Sequence, residues 1–478
     1  MKYVSVIGLE IHCQLSVNTK IFCGCSAKFG AGQNTRTCPV CAGFPGTLPV
    51  LNKKVVEYGI KAGLALNCSI PSYNKFDRKN YFYPDLPKAY QISQFDKPLC
   101  LKGNVEIAVN DEIKKIGITR IHLEEDAGKL IHSSDFSSAD NSFADYNRCG
   151  TPLIEIVSEP DMRSADDAYA YLQTVKRILE YAEVSDCNME EGSLRCDANV
   201  SIMPEGSSTF GTKTELKNMN SFKAVKIAIE SEIKRQINEL ESGGKIIQET
   251  RLWDEAAGIT RAMRSKEEAQ DYKYFPEPDL VSVEIENEFI ENVRKQIPEP
   301  PRTRMLRFMN EYGLNEQEAE VLTAQKKIAD YFENTVKINQ NPKKNANWIM
   351  GDFMYLLKET KTEINNSKIA PEHLAELVDL IEKNTINGKM AKQIFPEMFE
   401  SGKKAAELIK EKNLVQITDV SEIEKIVDGV ISQNKEVFEQ LKSGKEKARG
   451  FIVGQVMKLS KGKANPALVN EILTNKIR

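Results

Sequence analysis

Val4–Leu15 alternates with a period of two. Ser5, Ile7, Leu9, Ile11, Cys13 and Leu15 share one face, mostly apolar, while Glu10, His12 and Gln14 share the other. Such alternation predicts a half-buried β-strand whose same-face residues recur about every 6.6–6.8 Å. A second strand is predicted over Ile116–Glu125, with Thr119, Ile121, Leu123 and Glu125 on one face and His122 and Glu124 on the other. The third case is the cleanest. In Ser193–Ile202, Leu194, Cys196, Ala198, Val200 and Ile202 form an apolar or small face, and Arg195, Asp197, Asn199 and Ser201 an entirely polar one. Glu190 and Glu191 precede it, and Lys213, Glu215 and Lys217 repeat the pattern before Asn218-Met219-Asn220. A single polar face is most simply a solvated one. Three of them predict a sheet whose open face is a wide charged concavity, where carboxylates hold a hard cation and Arg or Lys meets phosphate.

The first ~290 residues mix strand-like and helical patterns and hold all ten cysteines. After Pro298-Glu299-Pro300-Pro301 the periodicity becomes helical with few breakers, as in Ala370–Asn384 and Lys403–Lys412. A last helix is expected from Pro466 to Ile477, with Asn465 as its N-cap. The expected organisation is a mixed α/β body followed by a helical part divisible in two.

The chain has 478 residues, enough for two to four domains, with 41% hydrophobic and 28% charged side chains. No apolar run approaches the ~20 residues that span a bilayer. The start, MKYVSVIGLEIH, lacks the features of a secretory signal, so a cytoplasmic protein with reduced thiols is expected. Net charge is −4, but residues 441–478 carry nine Lys/Arg against two Glu. A cationic end on an acidic chain suits polyanion binding; a solvated lysine-rich face reads equally well from charge alone.

Cys23-Gly24-Cys25 and Cys38-Pro39-Val40-Cys41 stand twelve residues apart. Two paired thiol sets around a polar loop have zinc-ribbon-like spacing, and four thiolates would close a structural Zn²⁺ site with no open position for a catalytic water. Cys13, Cys68, Cys100, Cys149, Cys187 and Cys196 lack such spacing and are expected in the core. The chain has no P-loop, no dinucleotide fingerprint, no G-x-S-x-G elbow and only four histidines, which speaks against a Ser-His-Asp hydrolase.

Asp145–Pro160, DYNRCGTPLIEIVSEP, resembles the signature of one family, the B subunit (GatB) of the tRNA-dependent amidotransferase. The likeness extends through GLEIH (8–12), FDRKNYFYPD (76–85), KAYQISQ (88–94), HLEEDAGK (122–129), MEEGSLRCDAN (189–199) and YFPEPD (274–279). It closes with GFIVGQVMK (450–458) and GKANP (462–466), so it covers essentially the whole chain in family order.

The resemblance implies an α+β cradle domain (1–293) with the zinc-ribbon-like insertion, then an all-α helical domain (294–405) and a YqeY-like α-helical tail (406–478). It implies a ligase in a heterotrimer with an amidase A subunit that frees ammonia from glutamine and a small C subunit. The B subunit would bind Glu-tRNA(Gln) and/or Asp-tRNA(Asn), phosphorylate the side-chain carboxylate with ATP, and let ammonia displace the phosphate. Carried over by motif, Glu10, His12, Glu124 and Glu125 would hold Mg²⁺. Glu155, Glu190, Glu191, Arg195, Asp197 and Asn199 would line the phosphoryl-transfer cavity, and Asn218 and Asn220 would join the nucleotide contacts. Lys79 and Lys88 would guide ammonia or substrate, and Lys458, Lys461 and Lys463 would bind tRNA in the tail. Two readings from other classes compete: a zinc-stabilised RNA-binding module without catalysis, and a scaffold for a separate amidase. Acids on strand faces argue against the first, because a pure RNA binder gains nothing from carboxylates beside phosphate. The second predicts no ATP turnover.

Overall fold

The computed structural model describes residues 2–132, 142–265, 272–412, 414, 417, 419–460 and 463–477. They fall into two compact units, Met1–Pro300 and Pro301–Arg478, divided inside the proline run.

The first unit is built on an eight-stranded sheet. In chain order its strands are β1 (Tyr3–Gln14), β2 (Cys100–Val109), β3 (Glu112–Glu125), β4 (Pro152–Ser158), β5 (Leu194–Pro204), β6 (Thr214–Lys217), β7 (Glu249–Asp254) and β8 (Ile259–Ser265). Their spatial order is β8-β7-β6-β5-β1-β4-β3-β2, antiparallel throughout except β6 beside β7. β1 therefore lies centrally, between β5 and β4.

The helices α1 (Lys53–Ala65), α2 (Ala165–Tyr181) and α3 (Phe222–Glu241) pack on the sheet and bury its apolar positions in one core. Ile7, Leu9, Ile11 and Cys13 of β1 join that core, as do Leu194, Cys196, Ala198 and Val200 of β5. Two glycines let α1 approach closely. A Cβ on Gly59 would stand 2.5 Å from Leu99 Cδ2, and one on Gly63 2.3 Å from Cys100 Sγ. The six unpaired cysteines are all buried, as expected.

Alternation over β3 holds only in part. Ile116 and Ile118 are buried with Ile121 and Leu123, and Thr119 is exposed. A bulge between Ile118 and Arg120 opposite β4 shifts the phase by one residue and turns Thr119 out of the face predicted for it. Beyond the bulge the predicted parity of His122 through Glu125 is kept.

The second unit has two hydrophobic cores. One gathers helices between Phe308 and Ile409, the other lies between Ile423 and Leu473. The expected helices form as Pro371–Glu382, Ala405–Glu411 and Pro466–Ile477. Asn465 caps the last one, its Oδ1 accepting from the Ala467 N–H at 2.9 Å.

Candidate active site and cysteine cluster

Strand register assembles the polar face. His122 of β3 stands opposite Glu155 of β4, Glu155 opposite His12 of β1, and His12 opposite Arg195 of β5. One row across four strands thus reads imidazole, carboxylate, imidazole, guanidinium. Glu124, two residues along β3 from His122, joins the same face. Glu155 Oε2 lies 3.3 Å from both His12 Nε2 and His122 Nε2. Glu124 closes the ring at 3.6 Å from His12 and 3.7 Å from His122.

Burial works against charge here, but the groups compensate one another. Desolvation disfavours an imidazolium, yet Glu155 and Glu124 outweigh it, pushing His122 up to about 9 and His12 also upward. In return the two imidazoles hold Glu124 and Glu155 below the usual carboxylate range despite their burial. Two ionised carboxylates and an imidazole in one pocket are a donor set for a hard divalent cation. The donor atoms of His12, Glu124 and Glu155 all lie within 4.8 Å of one another.

Glu10 and Glu125, expected among these ligands, are placed otherwise. Glu10 stands two residues before His12 on the same face of β1 and accepts from Asn199 Nδ2 at 2.9 Å. Burial, then the nearby Glu155, raises its pKa. Glu125 faces the other side of β3, where it pairs with Lys88 and accepts from the Ile92 N–H at 2.9 Å. Strand parity keeps it out of the cluster.

Arg195 Nη2 donates to Asp126 Oδ2 at 2.9 Å, and Gln14 Nε2 donates to the same oxygen at 3.0 Å. Arg195 Nε is buried without a hydrogen-bond partner among the described residues. Asp197 accepts from Lys217 at 2.7 Å. Lys79 is flanked by Tyr272, 4.8 Å from its ring centroid, and burial opposes its charge while Glu124 favours it. Glu190 and Glu191 lie in an exposed turn, both N–H groups directed at Asn188 Oδ1, and not among the groups of the sheet face. Asn218 adopts φ +67° and donates to the Trp253 carbonyl at 3.1 Å, so it holds a turn; Asn220 is exposed. In the tail, Lys458 is exposed and Lys463 half-buried, whereas Lys461 lies outside the described residues.

One cavity borders this face and another lies on the Glu125 side of β3. The first, of about 300 Å³, is lined by Gly8, Leu9, Glu10, Val157, Asn199 and Phe210. The other, about 280 Å³, holds Lys88 and Glu125 and is walled by Cys41 and Phe44.

The four spaced cysteines also converge. The sulfurs of Cys23, Cys25, Cys38 and Cys41 lie within 4.8 Å of one another, Cys38 and Cys41 at 3.9 Å. Tetrahedral zinc thiolates, with Zn–S near 2.3 Å, have sulfurs about 3.8 Å apart. The Cys38 N–H donates to Cys41 Sγ at 3.2 Å. A hydrogen bond from Cys23, with Lys20 close by, draws Cys41 down to about 4, while burial pushes Cys25 up to about 11.

Residues 5–291 match the GatB/GatE catalytic domain, and residues 330–477 match the GatB domain. The chain belongs to the GatB/GatE family. It is 57% identical over 477 residues to the B subunit of the aspartyl/glutamyl-tRNA(Asn/Gln) amidotransferase of Thermoanaerobacter sp. (strain X514), covering 100% of both chains. It is 56% identical over 476 residues to the protein of that name from Carboxydothermus hydrogenoformans, covering 100% of this chain and 99% of that one. The corresponding protein from Geobacter sulfurreducens is 55% identical over 478 residues, with 100% of each covered.

Strand parity in the sequence singles out His12 and Arg195 but gives His122 no role, although it shares a face with Glu124. Gln14 shares the predicted polar face with His12, and Asp126 lies in the HLEEDAGK motif, but neither draws a role from that placement; Lys20 carries no sequence signal of its own.

Proposed function

We propose that this chain is the B subunit of a cytoplasmic, glutamine-dependent tRNA amidotransferase, a carbon–nitrogen ligase. It would act with an amidase A subunit and a small C subunit on Glu-tRNA(Gln) and/or Asp-tRNA(Asn). The observation that carries this reading is the ring of His12, His122, Glu124 and Glu155, its His122 and Glu124 buried and the other two half-buried, beside Arg195. A side-chain carboxylate oxygen of the aminoacyl group attacks the γ-phosphorus of ATP, and ADP leaves. Ammonia then attacks the acyl-phosphate carbon, phosphate departs, and the nitrogen loses a proton to give the amide.

Glu124 and Glu155, with His12 beside them, would hold Mg²⁺. When bound, the cation neutralises charge on the phosphates and aligns them for in-line transfer. Arg195, fixed by Asp126, would meet a phosphate oxygen through its free Nε–H. Lys217 and Asp197 would flank the nucleotide, with Glu10 and Asn199 at the 300 Å³ cavity. Lys88 and Glu125 would gate ammonia, which Lys79 receives on the far face of β3. The four cysteines would hold a structural Zn²⁺ in a ribbon-like insertion. A division into a body, a helical part and a tail that binds tRNA is supported by three separate cores among the described residues, with Leu408 and Ile409 packed in the second core, so that the tail begins after them rather than at 406.

The deciding experiment supplies the purified trimer with glutamine and each misacylated tRNA, with and without ATP. Amide formation that depends on ATP and tRNA is expected. A trimer that never consumes ATP would leave only the scaffold reading.

A further inference from the structure

Lys20 has no solvent exposure at all. Its Nζ meets three acceptors: the Arg36 carbonyl at 2.8 Å, Cys41 Sγ at 3.4 Å and the Tyr146 carbonyl at 3.4 Å. Three acceptors match the three N–H groups of an ammonium, which accepts nothing. A buried cation needs an anion, and of these three acceptors only the sulfur can carry a negative charge. The same residue is fixed to the first cysteine pair, because its backbone N–H donates to the Cys25 carbonyl at 2.9 Å. Lys20 thus spans both halves of the cysteine cluster.

Its third contact leads elsewhere. Tyr146 belongs to the turn that precedes β4, and that turn is laced to the cysteine loop by side-chain amides. The Arg36 N–H donates to Asn147 Oδ1 at 2.8 Å, the Tyr146 N–H to Asn34 Oδ1 at 2.8 Å, and Asn147 Nδ2 to the Gly32 carbonyl at 2.6 Å. Beside Lys20, the Ile21 N–H donates to the Gly150 carbonyl at 2.9 Å. From the same turn Arg148 reaches the Ala127 and Gly128 carbonyls, at 2.9 and 2.6 Å, immediately after Asp126. A continuous set of polar contacts therefore runs from the cysteines to the carboxylate that fixes Arg195.

We propose that Lys20 is the outer-sphere partner of the four-cysteine metal site, offsetting its thiolate charge, and that it couples metal occupancy to the turn at residues 145–150. This rests on the reading of the cysteines as a zinc site. Four thiolates around Zn²⁺ carry a formal charge of 2−, and the ammonium reduces it while donating to one sulfur. Such outer partners commonly tune metal affinity 10–100-fold. Lys20 is a positioning residue in this account and touches no substrate.

The test uses the full-length chain loaded with zinc. Lys20→Met should release zinc to a chromophoric chelator at concentrations at least tenfold lower than the wild type requires. In the wild-type chain, stripping zinc should raise amide hydrogen exchange at least tenfold both at the cysteine loop and at residues 145–150. The second arm needs no variant and decides the matter if Lys20→Met does not fold. Wild-type chain that binds no zinc overturns the cysteine reading and the proposal with it. If zinc is bound but Lys20→Met holds it as tightly, or if residues 145–150 stay protected after stripping, the role of Lys20 alone is overturned.

Discussion

Glu124 and Glu125 are adjacent in sequence and face opposite sides of one strand. Glu124 closes the ring with His12, His122 and Glu155, and Glu125 pairs with Lys88 beside the cavity next to the cysteines. Two consecutive carboxylates thereby belong to different steps of the proposed reaction.

Their variants should separate those steps. Glu124→Gln should lower tRNA-dependent ATP hydrolysis by about 100-fold or more, because it removes a charge from the ring proposed to serve phosphoryl transfer, while glutamine hydrolysis by the A subunit persists. Glu125→Gln should keep ATP hydrolysis within a few-fold and lose glutamine-driven amide formation, with concentrated ammonium restoring part of it. Loss of ATP hydrolysis in Glu125→Gln would place this residue in the phosphoryl-transfer step after all.

Asp126→Asn keeps the shape of its side chain and removes the negative charge facing Arg195 and Gln14. A hydrogen bond to a charged group contributes about 1.5–3 kcal/mol, so kcat/KM for ATP should fall about 10–100-fold. Arg195→Lys should show a similar loss, and the double variant less than the product of the two. Strict multiplicativity would mean that Asp126 does not act through Arg195.

The helical unit should lose stability in mild acid. Burial works against the charges of Asp330 and Glu333, but Lys326 and Arg304 hold the first, and Arg307 and Arg304 the second, below the usual carboxylate range. Carboxylates more acidic folded than unfolded add stability above their unfolded pKa of about 4 and lose it as the pH falls toward the folded value. Arg304→Met should cost about 3 kcal/mol near neutrality and flatten the decline between about pH 5 and pH 3. Calorimetry of the full chain across that range checks both, and parallel pH profiles would remove Arg304 from the effect.

Lys458 and Lys463 should contribute to tRNA affinity as phosphate partners. Changing both to Ala should weaken binding uniformly across tRNAs and reduce the salt slope by roughly 1–2. An unchanged slope in a salt titration would exclude both contacts. A truncation aimed at the tail should begin after Lys412, because Leu408 and Ile409 are buried in the preceding core.

Local alternation revealed which side of β1 and β5 is polar, since period-two patterning is a property of the strand itself. It could not reveal that Glu155 faces His12, because their pairing depends on register between segments 143 positions apart. His122 was visible as a neighbour of Glu124 on one face but had no partner until β4 came alongside. The bulge at Ile118 shows the limit from the other side: Gly117 stands next to it as a local mark, but a glycine inside a strand does not say which following residue loses its partner. The cysteine spacing was legible because each pair is local, whereas Lys20, an ordinary lysine in the sequence, acquires its meaning from the depth at which it is buried.

The central place of β1 also has a consequence during synthesis. It leaves the ribosome well before its neighbours β4 and β5, which are completed only at Ser158 and Pro204. At about 5–20 residues per second, roughly 10–40 s pass before the second edge of β1 is covered. Throughout that interval Ile7, Leu9 and Ile11 lie on a strand with an open edge, the kind of segment that chaperones bind and that pairs wrongly with other chains. A nascent chain stalled between Ser158 and Pro204 would therefore carry His12, His122, Glu124 and Glu155 on a sheet in which β1 is still open to pairing with other chains.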